Sequence, residues 1–211
     1  MSAVVLFAVG SPIVAEYEET CKRLGRDVAA AVRNRPGAVF ASAAPIVDAG
    51  SLSPAQLAVP CLIPLFTPQN RAVAAREAAG YGFVFAEALV DPTAIVATSV
   101  RAGRGTYVGA GCIVGAHAVL GEHVLLNRGA SVGHHVTVDA FASVGPGAVI
   151  AGNVTIGSGA LVGAGAVLLP NVRIGAQAKV GAGAVVVGDV PEGVTVVGNP
   201  ARPVTPSFAR Q

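Results

Sequence analysis

Two hydrophobic rhythms divide this chain, and they meet near residue 88. In the first, apolar runs alternate with segments of helical spacing. Residues 3–9 form a continuous apolar run of the kind that is buried in a parallel sheet. After Gly10-Ser11-Pro12, residues Val14, Tyr17, Cys21 and Leu24 recur on one helical face. Ser11 suits the cap of that helix, Pro12 its first position and Gly25 its exit. Residues 61–66 predict another strand, followed by a helix capped by Thr67, begun by Pro68 and closed by Gly80. Residues 83–89 predict a further strand, whereas 33–60 predict only a short strand, loops and one short helix. Residues 1–88 therefore read as a small α/β domain with parallel βαβ connections.

The second rhythm has a period of six. From Val90 to Val186 an aliphatic or small residue stands at every sixth position, through seventeen units without a break. Four residues after many of these comes a small residue, as at Ala118, Ala130, Ala148, Ala160, Ala166 and Ala184. Such a unit makes a short strand and a corner: the aliphatic fills the interior, and the small residue fits the crowded bend. Stacked units hydrogen-bond to one another at about 4.8 Å. Residues 89–211 therefore predict an all-β parallel β-helix.

Composition sharpens this picture. Gly numbers 27 among 211 residues while 53% are hydrophobic, which points to a repeat with tight corners rather than to disorder. A net charge of +2, with 12% charged residues and no basic run, argues against a nucleic-acid partner. Three scattered cysteines, Cys21, Cys61 and Cys112, fit a reducing compartment. The apolar start lacks a basic flank and is too short to span a bilayer, so a cytoplasmic location without membrane contact is expected.

Several segments resemble the hexapeptide-repeat acyltransferases, and in particular the sialic-acid O-acetyltransferase and nucleotide-amino-sugar N-acetyltransferase branch. They are Thr67-Pro68-Gln69-Asn70-Arg71 and Val90-Asp91-Pro92-Thr93-Ala94, then residues 127–135, residues 146–154, and the terminal Val197-Gly198-Asn199-Pro200-Ala201-Arg202. The uninterrupted repeat also looks like that branch. The resemblance implies a left-handed β-helix of five to six coils, a homotrimer, and acetyl-coenzyme A as acyl donor. The acceptor it implies is an amine or hydroxyl of a nucleotide-linked amino sugar.

The resemblance aligns His134 with the family's general base, a role that an imidazole titrating near neutrality can fill. His134 and His135 are thus the candidate catalytic pair, although the family carries Asp or Glu where His135 stands. Glu122 and Asp139 are the carboxylates near in sequence that are candidates to replace it, and Ser143 stands where the family often has a His. Eighteen residues separate His117 from His135, so the two should stack on one corner of adjacent coils. Taken blind, a corner His such as His117 or His123 reads as solvated surface.

By the same resemblance Gly152, Ala164, Ala182, Asn199 and Arg202 are candidates for binding coenzyme A, with backbone N–H groups such as that of Gly152 facing the thioester oxygen. Gly10 and Ser11 are the substrate-binding candidates of the first domain. Ser42 or its neighbours stand where the family has acids. No metal is expected. Two other readings are a non-catalytic trimeric scaffold and a zinc enzyme like the γ-class carbonic anhydrases.

Overall fold

The computed structural model describes residues 3–41 and 44–204, so Ser42 and the last seven residues lie outside the described chain. Four strands form the first sheet: β1 (Val4–Phe7), β2 (Val28–Arg33), β3 (Ile46–Asp48) and β4 (Cys61–Leu62). All are parallel, in the order β3-β2-β1-β4, and Phe85 adds a parallel bridge to Cys61. Helix α1 (Val14–Arg23) covers one face of the sheet through Val14, Tyr17 and Cys21. A short helix α2 (Pro54–Leu57) precedes β4, and helix α3 (Pro68–Gly80) covers the opposite face through Ala74, Ala75 and Ala78.

The boundaries correct several expectations. Ser11 does not cap α1 with its side chain; its carbonyl accepts from Val14 N in a turn, and Ile13 takes the capping position. Gly25 does end α1: it sits at φ +61, Arg26 N–H bonds back to Cys21 O, and Gly25 N–H bonds to Lys22 O. Thr67 precedes Pro68 without a side-chain cap, and the positive φ after α3 falls on Gly82 rather than Gly80. Residues 83–89 do not form one strand. Only Phe85 pairs with the sheet, and Leu89 already belongs to the first β-helix coil. Strand β2 is the element the hydrophobic pattern missed.

From Leu89 to Val186 the chain winds through two-residue strands, each paired in parallel with the strand eighteen residues away. Three faces result. The first runs from Leu89–Val90 to Lys179–Val180 and ends with Thr195–Val197; the second runs from Ile95–Val96 to Val185–Val186; the third runs from Arg101–Ala102 to Arg173–Ile174. Every periodic aliphatic from Val108 to Val186 is buried. Val90 and Val96 are half-buried and Ala102 is exposed, because the first coil has no coil beneath it.

Corners repeat with the same pitch, and from Gly105 to Gly183 each turns on a residue of positive φ. Between the first and second faces that residue is always Gly: 111, 129, 147, 165 and 183. Between the second and third faces it is His117, His135, Asn153 and Asn171, residue types that tolerate the left-handed region better than most. Between the third and first faces it is Gly105, His123, Phe141, Gly159 and Gln177.

The first domain sits on the first face. Tyr107 and Leu125 point outward from that face yet are buried against α1 and the sheet, and Tyr107 stacks on Tyr17 at 4.0 Å. Arg71 of α3 locks the other edge. Its side chain is 1% exposed and donates to the carbonyls of Leu65, Phe66, His123, Phe141 and Ala142 and to Ser143 Oγ. Burial pulls its guanidinium down to about 10.

Candidate functional site

His134 and His135 follow Val132 on the corner between the second and third faces. Val132 points inward, Gly133 passes close beneath the next coil at Ala151 and Gly152, and the two histidines are left at the outer edge. The backbone of the corner is tied from both sides: His135 N donates to Ala116 O of the coil below, and Asn153 N donates to His134 O from the coil above. The rings meet through their Nδ1 atoms at 3.1 Å. His135 also lies over His117, with ring centroids 5.0 Å apart, as the eighteen-residue spacing requires. Neither Glu122 nor Asp139 bonds to His134; among the described residues its ring has His135 as hydrogen-bonding partner.

Gly152 completes the corner one coil later. A Cβ placed on it would lie 2.6 Å from both Cε1 and Nε2 of His134, so the absence of a side chain makes room for the ring. Its φ is not positive, and its N–H makes no hydrogen bond among the described residues. The structure thus brings His134, His135 and Gly152 together. Ala164 and Ala182 lie elsewhere, on the all-glycine corner between the first and second faces, where their backbone passes over Gly145 and Gly163. Asn199 and Arg202 sit at the far end. There the chain crosses the last strand of the second face through Val185 N to Gly198 O and Ala201 N to Val185 O.

Two further positions singled out in the sequence lie away from this corner. Ser143 is fully buried, donating to Phe66 O at 2.6 Å and accepting from Arg71; it belongs to the joint between the domains, because the first face is covered where it emerges. His123 is not a solvated corner residue. It is 3% exposed, edge-on to Phe85 and stacked on Phe141, and its Nδ1 has no hydrogen-bond partner among the described residues. Burial, reinforced by the Arg71 charge, lowers it to about 4, so it is a neutral aromatic wedge at pH 7.

In the first domain a cavity of about 470 Å³ opens at the carboxyl ends of β1 and β2. Gly10, Arg33, Asn34, Arg35 and Asn70 supply its polar lining. Ser11 is not part of it, and a Cβ on Gly10 would meet only Ala38 O at 3.7 Å, so Gly10 has no steric need to be Gly. Arg33 is held by Asp48 through two hydrogen bonds and Asn34 by Glu77, whereas Arg35 is exposed. Sequence reasoning passed over these three residues. The rule that ligands bind beyond the carboxyl ends of parallel strands finds them once β2 is recognised. Among the described residues no group of three or more His, Cys, Asp or Glu side chains is arranged to hold a metal ion.

The bacterial transferase hexapeptide (six repeats) pattern matches residues 153–188. Across nearly the whole chain, the structure resembles an alanine variant at a histidine of GDP-perosamine N-acetyltransferase from Caulobacter crescentus, solved with CoA and GDP-perosamine. Identity is 30%, coverage 97% of each chain and TM-score 0.85. The acetyltransferase domain of PglB from Neisseria gonorrhoeae, in complex with acetyl coenzyme A, is 32% identical over 96% of this chain and 98% of that one, with TM-score 0.85. The chain belongs to this hexapeptide acetyltransferase family. Its β-helix is accordingly the left-handed kind. WeeI from Acinetobacter baumannii, 22% identical over 97% of this chain and 100% of that one with TM-score 0.79, shares the fold. No curated protein sequence matches the acetyltransferase.

Proposed function

We propose that this acetyltransferase moves the acetyl group of acetyl-coenzyme A to the amino group of a nucleotide-linked sugar, with His134 as general base. The observation that carries the reading is the His134 ring standing against side-chain-free Gly152, in a chain 30% identical to an enzyme solved with CoA and a nucleotide sugar. The neutral amine nitrogen bonds to the thioester carbonyl carbon, and His134 takes the proton that the nitrogen sheds as the C–N bond forms. The Gly152 N–H, which has no hydrogen-bond partner among the described residues, is free to donate to the oxygen that becomes negative. As the C–S bond breaks, His134 returns the proton to the departing thiolate, which leaves the imidazole neutral for the next turnover. The cavity beside Gly10 and Arg35 receives the nucleotide, its guanidinium groups facing the diphosphate.

The second face supports a homotrimer. Its outward residues Ile95, Ile113 and Val149 are 68%, 49% and 45% exposed and form an apolar stripe. Corners bearing His134 and Gly152 on one edge, and Ala164 and Ala182 on the other, flank that stripe. One copy alone holds these groups on opposite edges. A ring of three copies, each applying this face to its neighbour, sets them across one groove for the pantetheine arm, with Asn199 and Arg202 at the nucleotide end. Three buried free thiols and the donor fit a cytoplasmic enzyme.

The test is thiol release from acetyl-coenzyme A in the presence of nucleotide-linked amino sugars. His134→Ala should lower turnover by about 100- to 10,000-fold while the trimer mass and the thermal shift caused by acetyl-coenzyme A persist. Full activity in His134→Ala refutes the mechanism.

A further inference from the structure

The His134–His135 contact raises a question of chemistry that a carboxylate partner would not. A carboxylate can only accept, so it fixes the tautomer of the imidazole it faces. Two neutral imidazoles in contact through Nδ1 atoms at 3.1 Å share a single proton, which sits on one ring or the other. If His134 accepts at Nδ1, its proton is on Nε2 and it has no lone pair left for the acceptor amine. If His134 donates from Nδ1, Nε2 is bare.

We propose that His135 is a positioning residue that acts as an uncharged acceptor, holding His134 in the Nδ1–H tautomer with Nε2 free to serve as the base. This rests on the general-base reading of His134 given above. Three features of the corner favour it. The outer edge of His134, Nε2 and Cε1, lies against Gly152, whose missing side chain makes room for the ring. His135 is exposed, so its own Nε2–H is satisfied by water while its Nδ1 accepts. Beneath it the His117 ring packs with centroids 5.0 Å apart, which limits rotation of the His135 ring away from His134. His117, His134 and His135 are the titratable groups in contact there, with Ser99 Oγ on the His117 N–H and Asn153 in the coil above.

The backbone makes this arrangement durable. His135 occupies a left-handed corner at φ +56 in a ladder with His117, Asn153 and Asn171, and both flanking coils hydrogen-bond to the pair. The same ladder supplies clean variants. Gly at this position removes the acceptor without backbone strain, and Asn, already present at 153 and 171, restores an acceptor oxygen in the same conformation.

The decisive measurement is the tautomeric state of the four histidines in the ¹⁵N-labelled, unmodified protein, read from long-range ¹H–¹⁵N correlations at pH 7.5. Assignments come from single histidine-to-asparagine variants. Expected are a protonated Nδ1 and bare Nε2 on His134, and the opposite on His135. A protonated Nε2 on His134 overturns the proposal, whatever the activity. Kinetics add a second arm. His135→Gly should lower kcat about 10- to 100-fold, the usual cost of losing the partner that orients a functional imidazole, with both KM values little changed, and His135→Asn should recover most of that loss. Wild-type kcat in His135→Gly, or a loss that Asn does not restore in an equally folded protein, overturns it too. Wild-type turnover in His134→Ala would instead sink the general-base reading itself, while the spectrum would still report the hydrogen bond.

Discussion

Adding one methyl group, Gly152→Ala, tests whether the position of the His134 ring limits the reaction. The new Cβ would meet Cε1 and Nε2 at 2.6 Å, against 3.4–4 Å for an ordinary contact, so the ring must retreat by close to 1 Å. Moving a reacting group by about 1 Å costs about 100-fold in rate, equivalent to about 2.7 kcal/mol of barrier. The fold should not suffer. Ala110, Ala116, Ala140, Ala164, Ala176 and Ala182 occupy the same place in other six-residue units, and Gly152 has no positive φ. Replacing Gly at such a site stabilises by about 0.4–1 kcal/mol through the unfolded chain. The expected outcome is a kcat near one-hundredth of wild type in the thiol-release assay, with a melting temperature equal or slightly raised. A kcat within twofold of wild type refutes the steric argument, and a fall of more than about 5 °C in melting temperature shows that the backbone, not the ring, was displaced.

Other expectations concern the joint between the domains. Arg71→Lys replaces a planar fork serving five carbonyls and a hydroxyl by an ammonium with three protons. Leaving buried carbonyls unpaired should cost about 3 kcal/mol or more, seen as a melting temperature about 10 °C lower. His123 titrates at about 4 when folded, against 6.5 as the reference. The unfolded chain therefore binds the extra proton between those values, so stability is complete above pH 6.5 and falls as the pH drops towards 4. The loss attributable to this residue approaches about 3 kcal/mol. His123→Phe, a residue type already accepted at the equivalent corner by Phe141, should remove that part of the acid sensitivity in pH-dependent melts; an unchanged slope would contradict it.

The β-helix was legible because its code is local. Whether Val144 faces inward depends only on its place in the six-residue unit, and no distant residue changes that. The outer surface is different. His117 and His123 occupy the same place in their units, yet one is an exposed corner residue and the other a buried wedge, because the first domain covers one edge of the coil stack and not the other. Ser143 is buried for the same reason. The cavity in the first domain stayed hidden because β2, with the sequence VAAAVR, is short and alanine-rich and gives little periodic signal before Arg33 and Arg35. At the His134 corner the missing acid was visible in the sequence, but the contact with the Nδ1 of the next ring is set by two side-chain rotations that no spacing encodes.

The eighteen-residue pitch also governs what kind of change this enzyme can absorb. A length change behaves like a step on an indexed shaft. Eighteen residues inserted ahead of Val132 would raise His134 by one storey and leave it in the same groove, next to the same kind of neighbour. Six would rotate it by a third of a turn, to the edge where His123 and Phe141 lie closed beneath the first domain, and the imidazole would be sealed from solvent. Lengthening the coil stack is thus an operation in whole coils. Anything smaller relocates the histidine to a different side of the molecule.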